Sequence, residues 1–564
     1  MKTVWGERLD PQHPLPEYPR PQLKRGNWLN LNGPWEYAIT DSGLRPETFE
    51  GEIIVPFSPE AELSGVRRKL KPEEFLWYRK RLTLPDFCAE RRVILHIGAV
   101  DQEATLWING RFAGTHDAPY LPFDAEITDY LQGETLEILL RVQDETDRGE
   151  RPRGKQSSRP GGIWYTPQSG IWQTVWLEAV PQNYIAGLRI TPDFDGAAVT
   201  IGADLVGDGT AFAEFQGKSY ALPARISVPD FEAWSPEHPK LYDFSVTHGE
   251  DRVESYFAMR KFSVETDSRG VRRLYLNNAP YFQNGLLDQG YWPDGLYTAP
   301  SDEALEFDIR MAKDMGFNML RKHIKIEPLR WYYHCDRLGM LVWQDMPSGG
   351  GAYDPLVVSS PLITGKMLRD NHYSLFSRRD ESCRKTFLRD LGGMIRHLYN
   401  CPCICMWVIF NEGWGQFDAR KAYELVHAMD PTRTIDHASG WHDQGIGELQ
   451  SLHVYFRRYG FRPDALGRAV VLSEFGGYGY RVEGRCWSSR DFGYKRFESP
   501  IKYAAGLRAL YRDEIAPAKK YGLSAAVYTQ LSDVEDELNG LLTYDRKAAK
   551  LAPEKIRAIM DVLK

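Results

Sequence analysis

The chain changes period near residue 265, and that change limits what it can fold into. From there on, short apolar runs alternate with stretches that repeat every three or four residues. Leu305, Ile309, Ala312 and Met315 share one helical face, and Gly316 stands where a C-terminal cap glycine belongs. Phe317 to His323 reads as a strand, Trp331 to Leu338 as a helix ended by Gly339, and Met340 to Asp345 as the next strand. The pattern predicts strands near 281–289, 317–323, 340–346, 403–411, 433–439, 449–455, 469–475 and 524–531. Eight strand–helix units predict a (β/α)8 barrel across 265–564.

The residues ahead of the barrel follow a period of two. Glu36-Tyr-Ala-Ile, Trp77-Tyr-Arg-Lys-Arg-Leu-Thr-Leu, Val93-Ile-Leu-His-Ile and Leu136-Glu-Ile-Leu-Leu-Arg-Val are short strands. Asn109-Gly110, directly after Ala104-Thr-Leu-Trp-Ile, is a hairpin turn signal. Residues 1–181 are expected to form a jelly-roll β-sandwich, and 182–264 a smaller, immunoglobulin-like β-sandwich.

Two glutamates end two of the barrel strands. Cys403-Ile-Cys-Met-Trp-Val-Ile-Phe leads into Asn411-Glu412, and Ala469-Val-Val-Leu-Ser leads into Glu474. Apolar runs without alternation are strands covered on both faces. A carboxylate at the end of such a strand is a poor packing residue, because burying it unpaired costs several kcal/mol. Glycines follow both, so the chain turns there and exposes the acid. The reading places Glu412 after strand four and Glu474 after strand seven, on the working face of a barrel. Two carboxylates over one cavity are what acid–base hydrolysis of a glycosidic bond requires.

A chain of 564 residues exceeds what one core supports, so about three domains are expected. Its net charge of −7 gives no electrostatic reason to bind nucleic acid or an anionic membrane. The first residues show no apolar leader, and no uncharged apolar run is long enough for a membrane span. Seven cysteines form no disulfide framework, and a reducing cytoplasm is the expected setting. Cys401, Cys403 and Cys405 alternate along one strand, but zinc spacing is wider, so they are expected to pack as small apolar residues. No metal or cofactor is expected. A homo-oligomer is compatible with the chain.

In their order along the chain, several segments resemble glycoside hydrolase family 2, the family of β-galactosidases, β-glucuronidases and β-mannosidases. Leu31-Asn-Gly33-Pro-Trp35 is similar to the family's opening strand, and Ser169-Gly-Ile-Trp-Gln-Thr-Val-Trp-Leu-Glu178 to the end of its jelly roll. Trp234-Ser-Pro-Glu, Gly316-Phe-Asn-Met-Leu-Arg321, Asn411-Glu412, Ser473-Glu474-Phe-Gly476 and the segment from Ser532 to Gly540 complete the likeness. The resemblance implies a retaining exo-β-glycosidase with Glu412 as acid/base, Glu474 as nucleophile and Asn411 on the sugar 2-hydroxyl. It also implies that the loop of Trp164 and Tyr165 reaches across to the barrel mouth.

Glu474 must be ionised to attack, and Arg321 and Tyr455 are candidate hydrogen-bond donors to it. Asp288, His323, Lys325, Asp345, His453 and Gln530 sit at barrel strand ends and could bind sugar hydroxyls; Trp414 could be a sugar platform. The chain departs from the family at Gln173, where arginine is usual, and after Arg321. It has no clear Asn-x-Lys near strand eight, the element with which β-glucuronidases hold a uronate. A neutral glycone is therefore expected, β-galactoside first, with β-mannoside and α-L-arabinopyranoside behind it and β-glucuronide disfavoured. The partner is a glycoside or oligosaccharide substrate.

Overall fold

The computed structural model describes residues 1–564, the side chain of Ile363 excepted. Two β-sandwiches precede a barrel. The first packs a six-stranded antiparallel sheet built around Gly33–Thr40, Phe75–Thr83 and Thr135–Gln143 against a four-stranded sheet built around Val175–Val180 and Arg92–Ile97. Alternate residues such as Leu136, Ile138 and Leu140 point into its core. The hairpin at Asn109-Gly110 forms as its sequence predicts, with both residues at positive φ (48° and 77°) joining Glu103–Ile108 to Arg111–His116. The second sandwich pairs a sheet of Tyr184–Asp193, Ala198–Val206 and Ala224–Ser227 with a four-stranded sheet centred on Phe212–Phe215 and Tyr242–His248.

The barrel strands are Gln283–Asp288, Met319–Lys322, Leu341–Asp345, Ile404–Val408, Thr434–Asp436, Leu449–Val454, Ala469–Gly476 and Ala525–Thr529, here strands one to eight. All the pairings are parallel, and the ladder runs from strand five through four, three, two, one, eight and seven to six. It stays unpaired between strands five and six among the described residues. Ser301 caps the helix Asp302–Asp314 by accepting the Ala304 N–H at 3.1 Å. Gly339, at φ 73°, ends the helix Leu329–Leu338.

The expectation of eight complete strand–helix units is corrected at two places. Among the described residues no helix follows strand five or strand six. The connection after strand five carries Gly440, Gly445 and Gly447, all at positive φ; the one after strand six carries Gly460, Pro463 and Gly467. Each such residue costs a helix interior roughly 1 kcal/mol for glycine and 3 for proline. The two helix-free connections meet at the gap in the ladder. Cys401, Cys403 and Cys405 all lie in the barrel's apolar core, where burial pushes their thiols up.

Candidate active site

Glu474 lies within strand seven rather than after it. The strand's register slips against both neighbours at this point. Leu452 faces Leu472 while His453 faces Glu474, and Leu472 faces Ala526 while Phe475 faces Tyr528. Such a bulge re-aims a side chain, so an acid inside a buried strand still reaches the site. Glu412 comes four residues after strand four ends. Its φ is 51°, a conformation that costs a residue with a side chain about 1 kcal/mol or more. Its N–H donates to the Ser439 carbonyl at 2.9 Å, which fixes the turn.

These two turns bring the acids together. One carboxylate oxygen of each and a ring nitrogen of His453 lie within 4.8 Å of one another. His453 Nδ1 is hydrogen-bonded to Glu412 Oε1 at 2.7 Å and lies 3.6 Å from Glu474 Oε2; Ser439 Oγ holds its other nitrogen at 3.1 Å. The spacing falls with the roughly 5–5.5 Å of two carboxyls that act by double displacement. It is well short of the roughly 6.5–9.5 Å that admits a water between them.

Glu474 is built to be charged. Arg321 donates to it at 3.1 Å and to the Ser473 carbonyl at 3.0 Å, and the Tyr455 hydroxyl donates to its other oxygen. Burial alone would push its carboxyl up; His453, Arg321, His323 and the Tyr455 hydrogen bond outweigh that and hold it below the ordinary value. Arg321 is in turn fixed by two 3.0 Å hydrogen bonds to Asp345, and its remaining reach goes to Asn411 Oδ1 at 2.8 Å. Asn411 Nδ2 is buried with no partner among the described residues. An amide so placed is a donor awaiting an acceptor.

His323 donates or accepts through Nδ1 with Asp345 at 2.9 Å and meets Trp414 edge-on at 6.4 Å. Burial first, and the charge of Lys155 next, hold its imidazole well below the ordinary value. Trp164 reaches over from the first sandwich and lies 5.2 Å from Trp414 and 5.9 Å from Tyr353. These rings, with Glu412, His453 and Tyr455, line a cavity of about 430 Å³.

Five sequence candidates stand elsewhere. Lys325 is fully buried and donates to Gly290 O, Tyr297 O and Glu327 at 2.7–2.8 Å. Asp288 is paired with Lys322 at 2.6 Å. Gln530 accepts from Gln289 and donates to Asn539. The Tyr165 hydroxyl donates to Glu537, and Asp345 stands behind Arg321. Their hydrogen-bonding groups already have partners within the protein.

Three residues escaped the sequence reading. Trp441 lines the cavity with a buried indole N–H that has no partner among the described residues. Tyr494 stacks on Tyr455 at 3.8 Å. Tyr353 completes the aromatic mouth. All three lie on connections, where no period marks a residue; only the placement of Trp441 just past strand five was a usable signal. As for a cation, the Glu412–His453–Glu474 donor set has ligand spacing. An ion there would face the Arg321 guanidinium and occupy both carboxylates.

A family model described as glycosyl hydrolases family 2, TIM barrel domain, matches residues 294–465. Over that stretch the chain carries the family 2 barrel domain. Among curated relatives, a β-galactosidase of Thermoanaerobacter pseudethanolicus is 23% identical over 72% of this chain and 54% of its own length. Other relatives are named β-glucuronidases, the canine protein among them. The chain spans about half the length of the first curated relatives it matches. Among solved structures, the β-D-glucuronidase of Dictyoglomus thermophilum superposes with a TM-score of 0.73 at 16% identity, over 96% of this chain and 98% of that one. A family 2 β-galacturonidase of Eisenbergiella tayi gives 0.72 at 19%, over 97% and 100%.

Proposed function

We propose that the chain is an exo-acting β-glycosidase that retains anomeric configuration. The observation that carries this reading is the pair of carboxylates within 4.8 Å, one held ionised by Arg321 and Tyr455 and the other sharing a hydrogen bond with His453. In the first step Glu474 forms a bond to the anomeric carbon. The bond to the leaving oxygen breaks, and Glu412 gives that oxygen its proton. In the second, Glu412 takes a proton from water, whose oxygen displaces Glu474. Asn411 Nδ2 is placed to donate to a sugar hydroxyl, where hydrogen bonds strengthen toward the oxocarbenium-like transition state.

The leaving-group side is apolar. Trp164, Tyr353, Val358, Leu362, Trp414 and Phe456 line it, which suits an aryl or other apolar aglycone. Two glycone readings remain in play. A neutral β-galactoside is supported by Lys322 and Lys325, whose charges are taken up by Asp288 and Glu327. A β-uronide is supported by the names of the relatives and solved neighbours, several of which are glucuronidases or galacturonidases. Turnover of 4-nitrophenyl β-galactoside, β-mannoside, α-L-arabinopyranoside and β-glucuronide ranks these directly. Trapping with 2-deoxy-2-fluoro glycosides should leave a single mass label on the peptide that contains Glu474. An inverted product, or a carbohydrate-binding protein that turns over none of the panel, would overturn the proposal.

A further inference from the structure

Four lysines are almost fully buried: Lys155, Lys322, Lys325 and Lys550. Three of them donate to carboxylates or carbonyls at 2.6–2.9 Å. Lys155, only 5% exposed, makes no side-chain hydrogen bond among the described residues. Its nearest anion is Glu537, with Nζ 4.0 Å from Oε2, and its Nζ lies 5.5 Å from the Tyr165 ring. The stem is buried but the ammonium itself is not among the sealed, unpartnered atoms, so its unfilled donors face space that a ligand can enter.

The position is beside the catalytic floor. Gly154, the preceding residue, packs so tightly on the barrel that a Cβ there would lie 2.1 Å from the Tyr297 hydroxyl and 3.2 Å from the Ile324 carbonyl. Lys155 is thereby planted next to the turn that carries His323. Glu537 enters from the connection after strand eight and is held by Asn539 at 3.0 Å and by the Tyr165 hydroxyl. Its charge also reaches Tyr494, the ring stacked on Tyr455; burial first, then Glu412, Glu537 and Glu474, push that phenol well up.

We propose that Lys155 and Glu537 form a glycone-reading pair that accepts the hydroxymethyl oxygen of a neutral sugar and rejects the carboxylate of a uronic acid. The idea rests on the glycosidase reading above and names its substrate class. A hydroxyl can accept from an ammonium and donate to a carboxylate at once. A uronate can only accept, so its second oxygen would face Glu537. The pair carries no net charge and offers an anion no net attraction.

The test compares matched substrates that differ only at C6: aryl β-galactoside, β-galacturonide and the 6-deoxy β-fucoside, and the corresponding β-glucoside and β-glucuronide. The neutral member of each pair should be preferred by roughly 100-fold or more. Lys155→Met should lower kcat/KM for the galactoside about tenfold and leave the 6-deoxy substrate within about twofold. Glu537→Gln leaves Lys155 unopposed and should raise the uronide-to-neutral ratio about tenfold. Lys155→Arg keeps the cation and should hold the neutral preference if the methionine variant proves unstable. A wild-type preference for the uronide, equal losses on both galactoside and fucoside, or a fall in the uronide ratio for Glu537→Gln would overturn the pair. If no substrate turns over and no fluoro-sugar label forms on Glu474, the glycosidase reading fails by itself. The pair then rests on calorimetric binding of galactose against galacturonate, where equal affinities overturn it.

Discussion

The barrel holds two buried polar clusters near the ends of neighbouring strands, and they differ in one respect. Lys322, Lys325, Asp288 and Glu327 close on one another and on backbone carbonyls. Arg321, Asn411, Glu412, His453 and Glu474 are also buried, none more than 8% exposed, yet Asn411 Nδ2 and the nearby Trp441 indole N–H have no partner among the described residues. Both clusters are buried and both are charged, so neither property alone marks the site. Spare hydrogen-bonding capacity does, because a satisfied network can only hold the fold, whereas an unsatisfied one has energy to gain from a ligand.

The sharpest test of that contrast is the nucleophile. Glu474→Ala should lower kcat by about 10⁵-fold or more, since a group that forms the covalent intermediate has no substitute. Steady-state rates on an aryl glycoside, with an unchanged circular dichroism spectrum, check this. Glu412→Ala should cost about 10²–10⁴-fold on substrates with poor leaving groups. Activated aryl glycosides should lose less, and added azide should restore turnover. Equal losses across leaving groups without rescue would remove Glu412 from the acid/base role.

Tyr455→Phe deletes one donor to Glu474 and should move a pH profile more than a rate. The acid limb of kcat/KM reports protonation of Glu474, whose carboxyl is held below its ordinary 4.5. Losing the donor raises that value, so the limb shifts to higher pH. The linkage sign agrees: a depressed folded value contributes stability above 4.5 that fades as pH falls through the folded value, and the variant gives up part of it. An unmoved limb would exclude Tyr455 from tuning the nucleophile.

The smallest effect on activity is expected in the closed cluster. Lys325 sits where a sequence reading would look for a uronate partner, yet burial has pushed its ammonium down to about 8 and three internal acceptors hold it. Lys325→Met should destabilise the fold by roughly 3 kcal/mol, the cost of breaking a buried ion pair. The folded enzyme should keep kcat/KM within about threefold on neutral and anionic substrates. A selective loss on the glucuronide would erase the distinction between the clusters.

Much of the site was legible because it sits where periodic structure ends. Apolar runs without alternation mark buried parallel strands, and an acid at such an end stands out, so Glu412 and Glu474 were readable. Arg321, His453 and Tyr455 were readable for the same reason, whereas Asn411 came from the family resemblance. The helices expected after strands five and six were not formed, because glycine and proline weaken a helix locally in a way that counting units overlooks. Lys155, Tyr353, Tyr494 and Glu537 gave no signal, since a connection has no period to betray which side chain turns inward.

The sequence by itself determined the kind of machine: strand–helix repeats for a barrel, two acids at its working face, and β-sandwiches ahead of it. Tertiary structure decided which polar groups are left free to act. Lys325 and Lys155 are the same residue type, both buried and both near strand two. One meets Gly290, Tyr297 and Glu327, and the other meets no hydrogen-bond acceptor among the described residues. That difference depends on partners brought in from distant segments, and on directional contacts that reach only about 3 Å. No local pattern encodes it.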